Sequence, residues 1–471
     1  MHDSISLSAP LLASKTIRIR GAKPLAGYEK GKAMATTRRD ILIGLGGALA
    51  GAAAAKATDV LDTKHTQAGT ALSGAATAPA AKEYTLKGRL FALGATGDLH
   101  PIGMENSLKT GFGGAVLSEV DMATGAIKQT WLPMHGAHHA LPTKNGEVVC
   151  IAHHGPVSLV VDEDHKVKHQ FVSDEGYVYG GHGQPLPEKG VFILPVRHAQ
   201  ARSVKDTGRL EIYDLQTFKL LDKLDSGGIH PHEIRMLPGR KEMVVTHYGE
   251  VAEFNPGNPL EMNIVEPKLT VYDAATLKPV RHYVQDVNAI LTHMDIGPEG
   301  HVYAVLNQYI RLKTPEDRAR ALDVLRAILG HPDIDIAFHE DSIRRKRISI
   351  PLPTLKINPL NGEVERIFIG KQQNRSQSVA TNTMTGTVFA TYLYTNTLAV
   401  MPKDGPAFGL DMLKYGIDTI RGVSDIPGTP YIAVGSSYRG LAVIDVRNYE
   451  LVKHFDLQVF VSPHLSTFDT V

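Results

Sequence analysis

The chain has 471 residues with 50 basic and 49 acidic side chains, a formal net charge of +1, and 43% hydrophobic residues. That balance, with no basic stripe, argues against a nucleic-acid partner, and a single cysteine, Cys150, excludes a disulfide framework or a cysteine-built metal cage. The outlier is histidine, present 22 times beside 44 glycines and 27 prolines.

Residues 1–33 are read either as an extension or as translation from an early start codon, because Met34 directly precedes the first recognisable segment. Thr36-Thr37-Arg38-Arg39-Asp40-Ile41-Leu42 leads into a Gly- and Ala-rich apolar run, closed by the small-x-small pattern Ala55-Lys56-Ala57. Residues 34–57 thus resemble a twin-arginine export signal, with Ile41 where Phe is commoner. The run is too short for a comfortable bilayer span, so the mature chain is expected to lack one and to work in the periplasm. Residues 58–82, rich in Ala, Thr and Gly, read as a flexible linker, and 83–471 as the folded domain.

Within that domain, strand-like runs close on acidic or turn residues and restart, around Asp121, Asp162, Asp214, Asp273, Asn358, Asp404 and Asp445. Spacings of about forty residues or somewhat more, with one much longer interval, predict an all-β, seven-bladed β-propeller of four-stranded blades. After the segment around Asp445 only Val459–Val471 remains, one strand's worth, while the runs from Glu83 to Gly125 supply outer strands. The last blade is therefore expected to be closed by both chain ends, which leaves no unpaired sheet edge. The longest interval holds a predicted helix near 314–330: Thr314 and Asp317 suit a capping box, Pro315 the first turn, and Leu322, Leu325, Ile328 and Leu329 form an apolar stripe that packs on the parent domain. A second insertion, Tyr248 to Pro267, is placed near one mouth of the ring.

Histidines recur where inner strands begin. The register that aligns His138-His139-Ala140-Leu141-Pro142 with His293-Met294-Asp295-Ile296-Gly297 puts His182 and His232 at equivalent places, and His464 in the last blade, with Ser378 and Gly422 in the remaining two. Second strands end on His153-His154, His198 and His247, and later ones on Asn307, Tyr392 or Tyr438, which predicts a mouth with imidazoles on one half and polar or phenolic groups on the other. Because neighbouring side chains on a strand alternate, one ring at most of each doublet is expected at the axis unless the chain turns there. Neutral imidazoles converging from separate strands make a preorganised site for iron or copper. The candidate ligands are His139, His182, His232, His293 and His464, with His153, His198 and His247 nearby and Glu233 as an oxygen ligand or tautomer-fixing partner. The structural alternative is that polar residues on inner strands simply satisfy one another and channel water.

The blocks SGGIHPHE (226–233), EPKLTVYDAATL (266–277), RSQSVATNTMTGTVFAT (375–391) and GSSYRGLAVIDV (435–446) resemble a family of twin-arginine-exported bacterial propellers of unknown function, often encoded beside imelysin-type iron-uptake proteins. The resemblance spans roughly residues 84–460 and implies a periplasmic propeller with a link to iron, but no reaction. More distantly the architecture is similar to YVTN-repeat and amine-dehydrogenase-like propellers and to the propeller half of nitrous-oxide reductase, in which axial histidines hold copper. No P-loop, G-x-S-x-G elbow or H-E-x-x-H helix is present. The reading is a metal-binding periplasmic propeller serving uptake, sensing or redox work, with a metal-uptake or redox protein as partner. Two other classes stay open: a non-enzymatic interaction scaffold, and a hydrolase or dehydrogenase acting at the same mouth.

Overall fold

Carboxylates punctuate the sequence because they staple hairpins. Asp121 Oδ1 accepts from the Thr124 N–H at 2.8 Å, Asp162 from Lys166 at 2.8 Å, Asp214 from Thr217 at 2.7 Å, Asp273 from Thr276 at 2.7 Å and Asp445 from Arg447 at 2.9 Å; Asn358 does the same for Leu360 at 2.9 Å. Each is a side-chain-closed turn between the third and fourth strands of a sheet, which is why these positions prefer Asp or Asn.

The computed structural model describes residues 84–95, 114–255, 258–264, 266–285, 289–307, 352–369, 375–393, 395–459 and 461–468, with Pro315, Glu316, Ala319, Leu322 and Gln373 between them. The described strands form a seven-bladed β-propeller of antiparallel sheets. Blade I runs from inner to outer strand as Ala137–Pro142, Val148–Ala152, Val157–Val161 and Val167–Val172. Blade II has a split inner strand, Tyr177–Tyr179 and Gln184–Leu186, then Val191–His198, Arg209–Asp214 and Leu220–Asp225. Blade III is Pro231–Met236, Glu242–His247, Lys268–Asp273 and Lys278–Val284, with the hairpin Glu250–Asn255 and Asn258–Ile264 inserted after its second strand. Blade IV is Ile290–Ile296, Val302–Asn307, Thr354–Ile357 and Val364–Ile367; blade V is Ser376–Thr381, Val388–Tyr392, Thr397–Met401 and Phe408–Asp411. Blade VI is Ile420–Ile426, Tyr431–Ser436, Arg439–Asp445 and Leu451–Gln458.

Blade VII is built from both ends, with Val461–Phe468 innermost, followed by Arg89–Ala95, Ala115–Asp121 and Ile127–Leu132. The predicted two-ended closure is therefore present. The export-signal and linker segments, 34–57 and 58–82, lie outside the described residues, as does most of the 314–330 insertion. Of that insertion, Pro315, Glu316, Ala319 and Leu322 are helical, and Leu322 packs on the core shared by blades III and IV.

The core lies between blades. Leu269, Leu291 and Leu355 join blade III to IV; Val305, Phe389 and Val400 belong to the layers on either side of blade V; Leu441, Leu457 and Leu465 join blade VI to VII. A larger cluster including Phe91, Val149, Phe171 and Phe192 runs from blade VII through I to II. Fourth strands are the rim, and most of Leu220–Asp225 and Lys278–Val284 is exposed. Among the described residues no helix is long and apolar enough to cross a membrane.

Closure by the C-terminal strand sets a stability expectation. Burying each large apolar side chain contributes about 1.5–3 kcal/mol, against a total of about 5–15 kcal/mol for a domain. Ending the chain at Val459 removes Leu465 and bares the edge of Arg89–Ala95. It should abolish a cooperative urea transition monitored by near-ultraviolet circular dichroism; an unchanged midpoint would show that the closure is dispensable.

Candidate metal centre

Six of the seven inner strands carry a bulge near their start, and the seventh is split. In blade I, Ala137 pairs with Ala152 and His139 with Ile151, so His138 is the extra residue. In blade III, Pro231 pairs with His247 and Ile234 with Val245, which places His232 and Glu233 together opposite Thr246. Blade IV repeats the pattern with Thr292 and His293 opposite Val305. A bulge breaks the alternation of side chains and bends the strand. Both rings of the His138-His139 doublet therefore reach the axis, the outcome that strict alternation forbids.

The rings His138, His139, His153, His154, His182, His232, His293 and His464 form one continuous contact network at the hub. Centroids lie 4.2 Å apart for His138 and His464, 4.3 Å for His293 and His464, 4.6 Å for His139 and His182, and 4.8 Å for His138 and His153. His153 and His154 touch at 3.7 Å, with His154 at a left-handed φ of 67°. His182 comes from the loop that splits the inner strand of blade II. There Gly181 has φ +111°, and a Cβ on it would stand 2.6 Å from His138 Cδ2 and 3.0 Å from His232 Cε1. Only glycine lets this backbone pass so close to the rings.

Four of these rings make the tightest group. One ring nitrogen from each of His138, His182, His232 and His293 lies within 4.8 Å of the others, and all four side chains are buried. His232 Nε2 stands 2.8 Å from His293 Nε2, which is 3.3 Å from His138 Nε2. His232 Nδ1 donates to the Gly180 carbonyl, which fixes the tautomer and leaves the Nε2 lone pair facing the hub. His293 Nε2 can meet that lone pair only as an N–H donor, and the same hydrogen is the one within reach of His138 Nε2. Three ring nitrogens thus converge, with His293 Nε2 within 3.3 Å of both others. Around an ion bound at about 2.0–2.1 Å, neighbouring nitrogens sit about 3 Å apart, close to the spacing of His293 from His232 and from His138. Among the described residues, both ring nitrogens of His182, His139 Nδ1, His293 Nδ1 and His464 Nε2 are buried with no hydrogen-bond partner.

Beside the group lies a cavity of about 20 Å³ bounded by His139, His182, Glu233, Arg235, His293 and His464, with room for one water or ion. Glu233 Oε1 is 3.5 Å from His182 Nδ1 and 2.6 Å from Arg235 Nη2, while its Oε2 accepts from the Met294 N–H at 2.7 Å. Ser466 Oγ holds His139 Nε2 at 2.7 Å.

Of the residues singled out in the sequence, His139, His153, His182, His232, His293 and His464 thus meet at the hub with Glu233 beside them. His247 and His198 stand apart. His247 Nε2 donates to the Ser226 carbonyl at 2.8 Å between blades II and III, and His198 packs on Tyr177 while its Nδ1 accepts from the Gln200 N–H. Tyr392, expected on the polar half of the mouth, instead turns into the blade IV–V layer, where its phenol is hydrogen-bonded to Thr354 and Gln373. Sequence reasoning passed over His138 in favour of His139 and gave Tyr248 no role at the hub. The bulge is the missing signal for the first; for the second it was the Tyr-Gly step after the second strand of blade III.

Burial keeps the hub imidazoles neutral. It pushes His139 and His232 down to about 3, with Arg235 adding to the shift on His139, while the Gly180 carbonyl acts against it on His232. His154 falls to about 2 through burial and then Arg197, and His138, His153, His182, His293 and His464 all lie well below the usual imidazole value through burial and their neighbours. Burial raises Glu233 to about 7, with Arg235 acting against that rise. Neutral imidazole is the form that ligates metals.

Residues 132–321 match the model of a family described as a protein of unknown function (DUF1513). No curated protein matches the chain. Solved structures similar to it include hydrazine synthase from Kuenenia stuttgartiensis, 9% identical over 71% of this chain and 90% of that one, with a TM-score of 0.46. A functionally unknown protein from Desulfotomaculum acetoxidans DSM 771 is 10% identical over 80% and 99%, with a TM-score of 0.49, and a protein from Lactobacillus plantarum is 12% identical over 82% and 100%, with a TM-score of 0.48. None lends this chain a reaction.

Two expectations follow from the crowding and the burial. Gly181→Ala forces either a strained backbone or displaced rings, at a cost of about 1–3 kcal/mol, and should lower the urea midpoint of the metal-free protein; a wild-type midpoint would mean that the close approach is unnecessary. In metal-free protein, each depressed histidine binds its proton more readily when unfolded. Stability is then greatest above the unfolded histidine value of about 6.5 and is lost as pH falls toward about 3. Glu233, raised from 4.5 to about 7, has the opposite sign: its contribution is present below 4.5 and lost as pH rises to about 7. With several histidines against one glutamate, the urea midpoint should fall steadily from pH 7 to pH 4.5; a midpoint that rises on acidification would contradict neutral hub imidazoles.

Proposed function

We propose that the hub of this propeller binds a transition-metal ion, iron or copper, through His138, His182, His232 and His293, and that the protein serves metal uptake, sensing or redox exchange in the periplasm. The observation that carries this reading is the convergence of four buried ring nitrogens within 4.8 Å of one another, with one tautomer fixed by the Gly180 carbonyl. An ion accepts all these lone pairs at once, where a proton can be shared with only one partner well. Imidazole nitrogens suit copper, iron, zinc and nickel, and the nearest carboxylate, Glu233, is held by Arg235 and the Met294 N–H, so nitrogen dominates the donor set.

Export rests on the resemblance of residues 34–57 to a twin-arginine signal, a route that carries folded proteins, often with a cofactor in place. A metal-uptake or redox protein in the same compartment is the partner this placement suggests. His464 and Ser466, on the strand that closes the ring, complete the network around these four ligands.

The test is elemental analysis of the protein purified from the exported compartment. About one iron or copper per chain is expected, with affinity falling 10–100-fold or more when His232 and His293 are both replaced by Asn, while circular dichroism stays that of the folded propeller. Metal-free wild-type protein that also takes up neither ion in titration would overturn the reading and favour a scaffold.

A further inference from the structure

Among the described residues, one phenol reaches the hub. Tyr248 follows the second strand of blade III, and its main-chain N–H donates to the His230 carbonyl at 3.1 Å, while the next N–H, of Gly249, donates to Ile229 at 3.2 Å. These bonds extend the pairing between the first two strands of the blade past their ends and fix the phenol over the bulge that carries His232. Gly249 then turns the chain away with φ +71°, where a Cβ would strike the Glu266–Pro267 peptide at 2.1 Å. Tyr248 is buried at 5% exposure, and its ring packs on His232 with centroids 4.7 Å apart and on His153 at 5.8 Å.

Its oxygen points at the atoms that matter. Tyr248 Oη lies 3.3 Å from His232 Nε2, the nitrogen whose lone pair faces the hub, and 3.4 Å from His153 Nε2. Two ligands in neighbouring positions on one ion, each bound at about 2.0 Å, have donor atoms about 3 Å apart. Oη therefore stands beside His232 Nε2 at the spacing of two neighbouring donors, much as His293 Nε2 does on the same nitrogen.

We infer that Tyr248 is a metal ligand, bound as phenolate, and that it sets the hub's preference for ferric iron. This rests on the reading of the hub as a metal centre and narrows it. The O–H bond breaks as the iron–oxygen bond forms, the proton passes to solvent, and no electron is transferred. Neutral imidazoles leave the full positive charge of an ion uncompensated, and one anionic oxygen offsets part of it; oxygen donors suit harder ions than thiolates or thioethers do. Anionic phenolate thus favours the ferric over the ferrous state.

The experiment loads purified, metal-free protein with ferric iron delivered as a citrate complex and reads iron by elemental analysis and visible absorption together. Bound iron should bring a phenolate-to-iron charge-transfer band in the visible and the release of about one proton per ion from the phenol. Tyr248→Phe should abolish the band, keep bound iron through the imidazoles, and lower ferric affinity at least tenfold while changing ferrous affinity little. Iron bound to wild-type protein with no such band, or a band that persists in Tyr248→Phe, overturns the role of Tyr248 and leaves the histidine site standing. Failure of wild-type protein to bind any metal sinks both. Should Tyr248→Phe not fold, resonance Raman of wild-type protein grown on ring-deuterated tyrosine decides, since phenolate modes that shift on labelling support ligation and their absence refutes it.

Discussion

The hub depends on one backbone device, the bulge that opens the inner strands. A propeller brings seven strand starts to a narrow axis, and regular alternation would let each contribute one side chain in every two. The extra residue at His138, the His232–Glu233 pair and the Thr292–His293 pair supply more donors from the same length of strand. In blade II the strand is split outright and a glycine loop carries His182 into the remaining gap. The local loss of ladder hydrogen bonds is the cost of this crowding, and it falls where a bound ligand can offset it.

Charge around the hub is arranged in pairs. Arg235 stands 2.6 Å from Glu233, and Arg197 and His230 stand 3.9 and 3.4 Å from Glu250. These arginines push neighbouring imidazoles toward their neutral form, as His139 and His154 show, yet each has a carboxylate at hand, so the field on an incoming cation is smaller than the arginines alone would make it. Isolated buried charges would be far costlier than these pairs. The result is a pocket whose imidazoles stay neutral and available to a cation across the ordinary pH range.

Much of this was legible in the chain. Asp and Asn at hairpin turns set the blade rhythm because a carboxylate or amide satisfies the turn's N–H groups, and that chemistry is visible as sequence. Two-ended closure followed from counting strands after Asp445. The recurrence of His182, His232, His293 and His464 at strand starts pointed to the axis. What the sequence could not disclose was the bulge: a single inserted residue brings both members of His138-His139 to the axis, and nothing in the residue types announces it. His198 and His247 show the converse error, since ending a second strand does not fix the face a ring takes. There, the Ser226 carbonyl, which also accepts from the Tyr272 phenol, or a neighbouring Tyr177 draws the side chain away from the axis.

Closure and site are the same event. The C-terminal strand that pairs with Arg89–Ala95 also carries His464 into the network and Ser466 to His139, a contact that joins residues 327 positions apart. Until that strand docks, the hub lacks one of its walls, so an ion that needs the complete hub binds the closed ring more tightly than any open form. By linkage, such an ion stabilises the closed ring by an amount that grows with its concentration over the dissociation constant, about 2.7 kcal/mol at a hundredfold excess. Here the histidine network reaches across the blade where the two chain ends meet, through the contacts of His464 with His138 and His293. Any ion bound at the hub would therefore be coupled to ring integrity through the wall that His464 supplies.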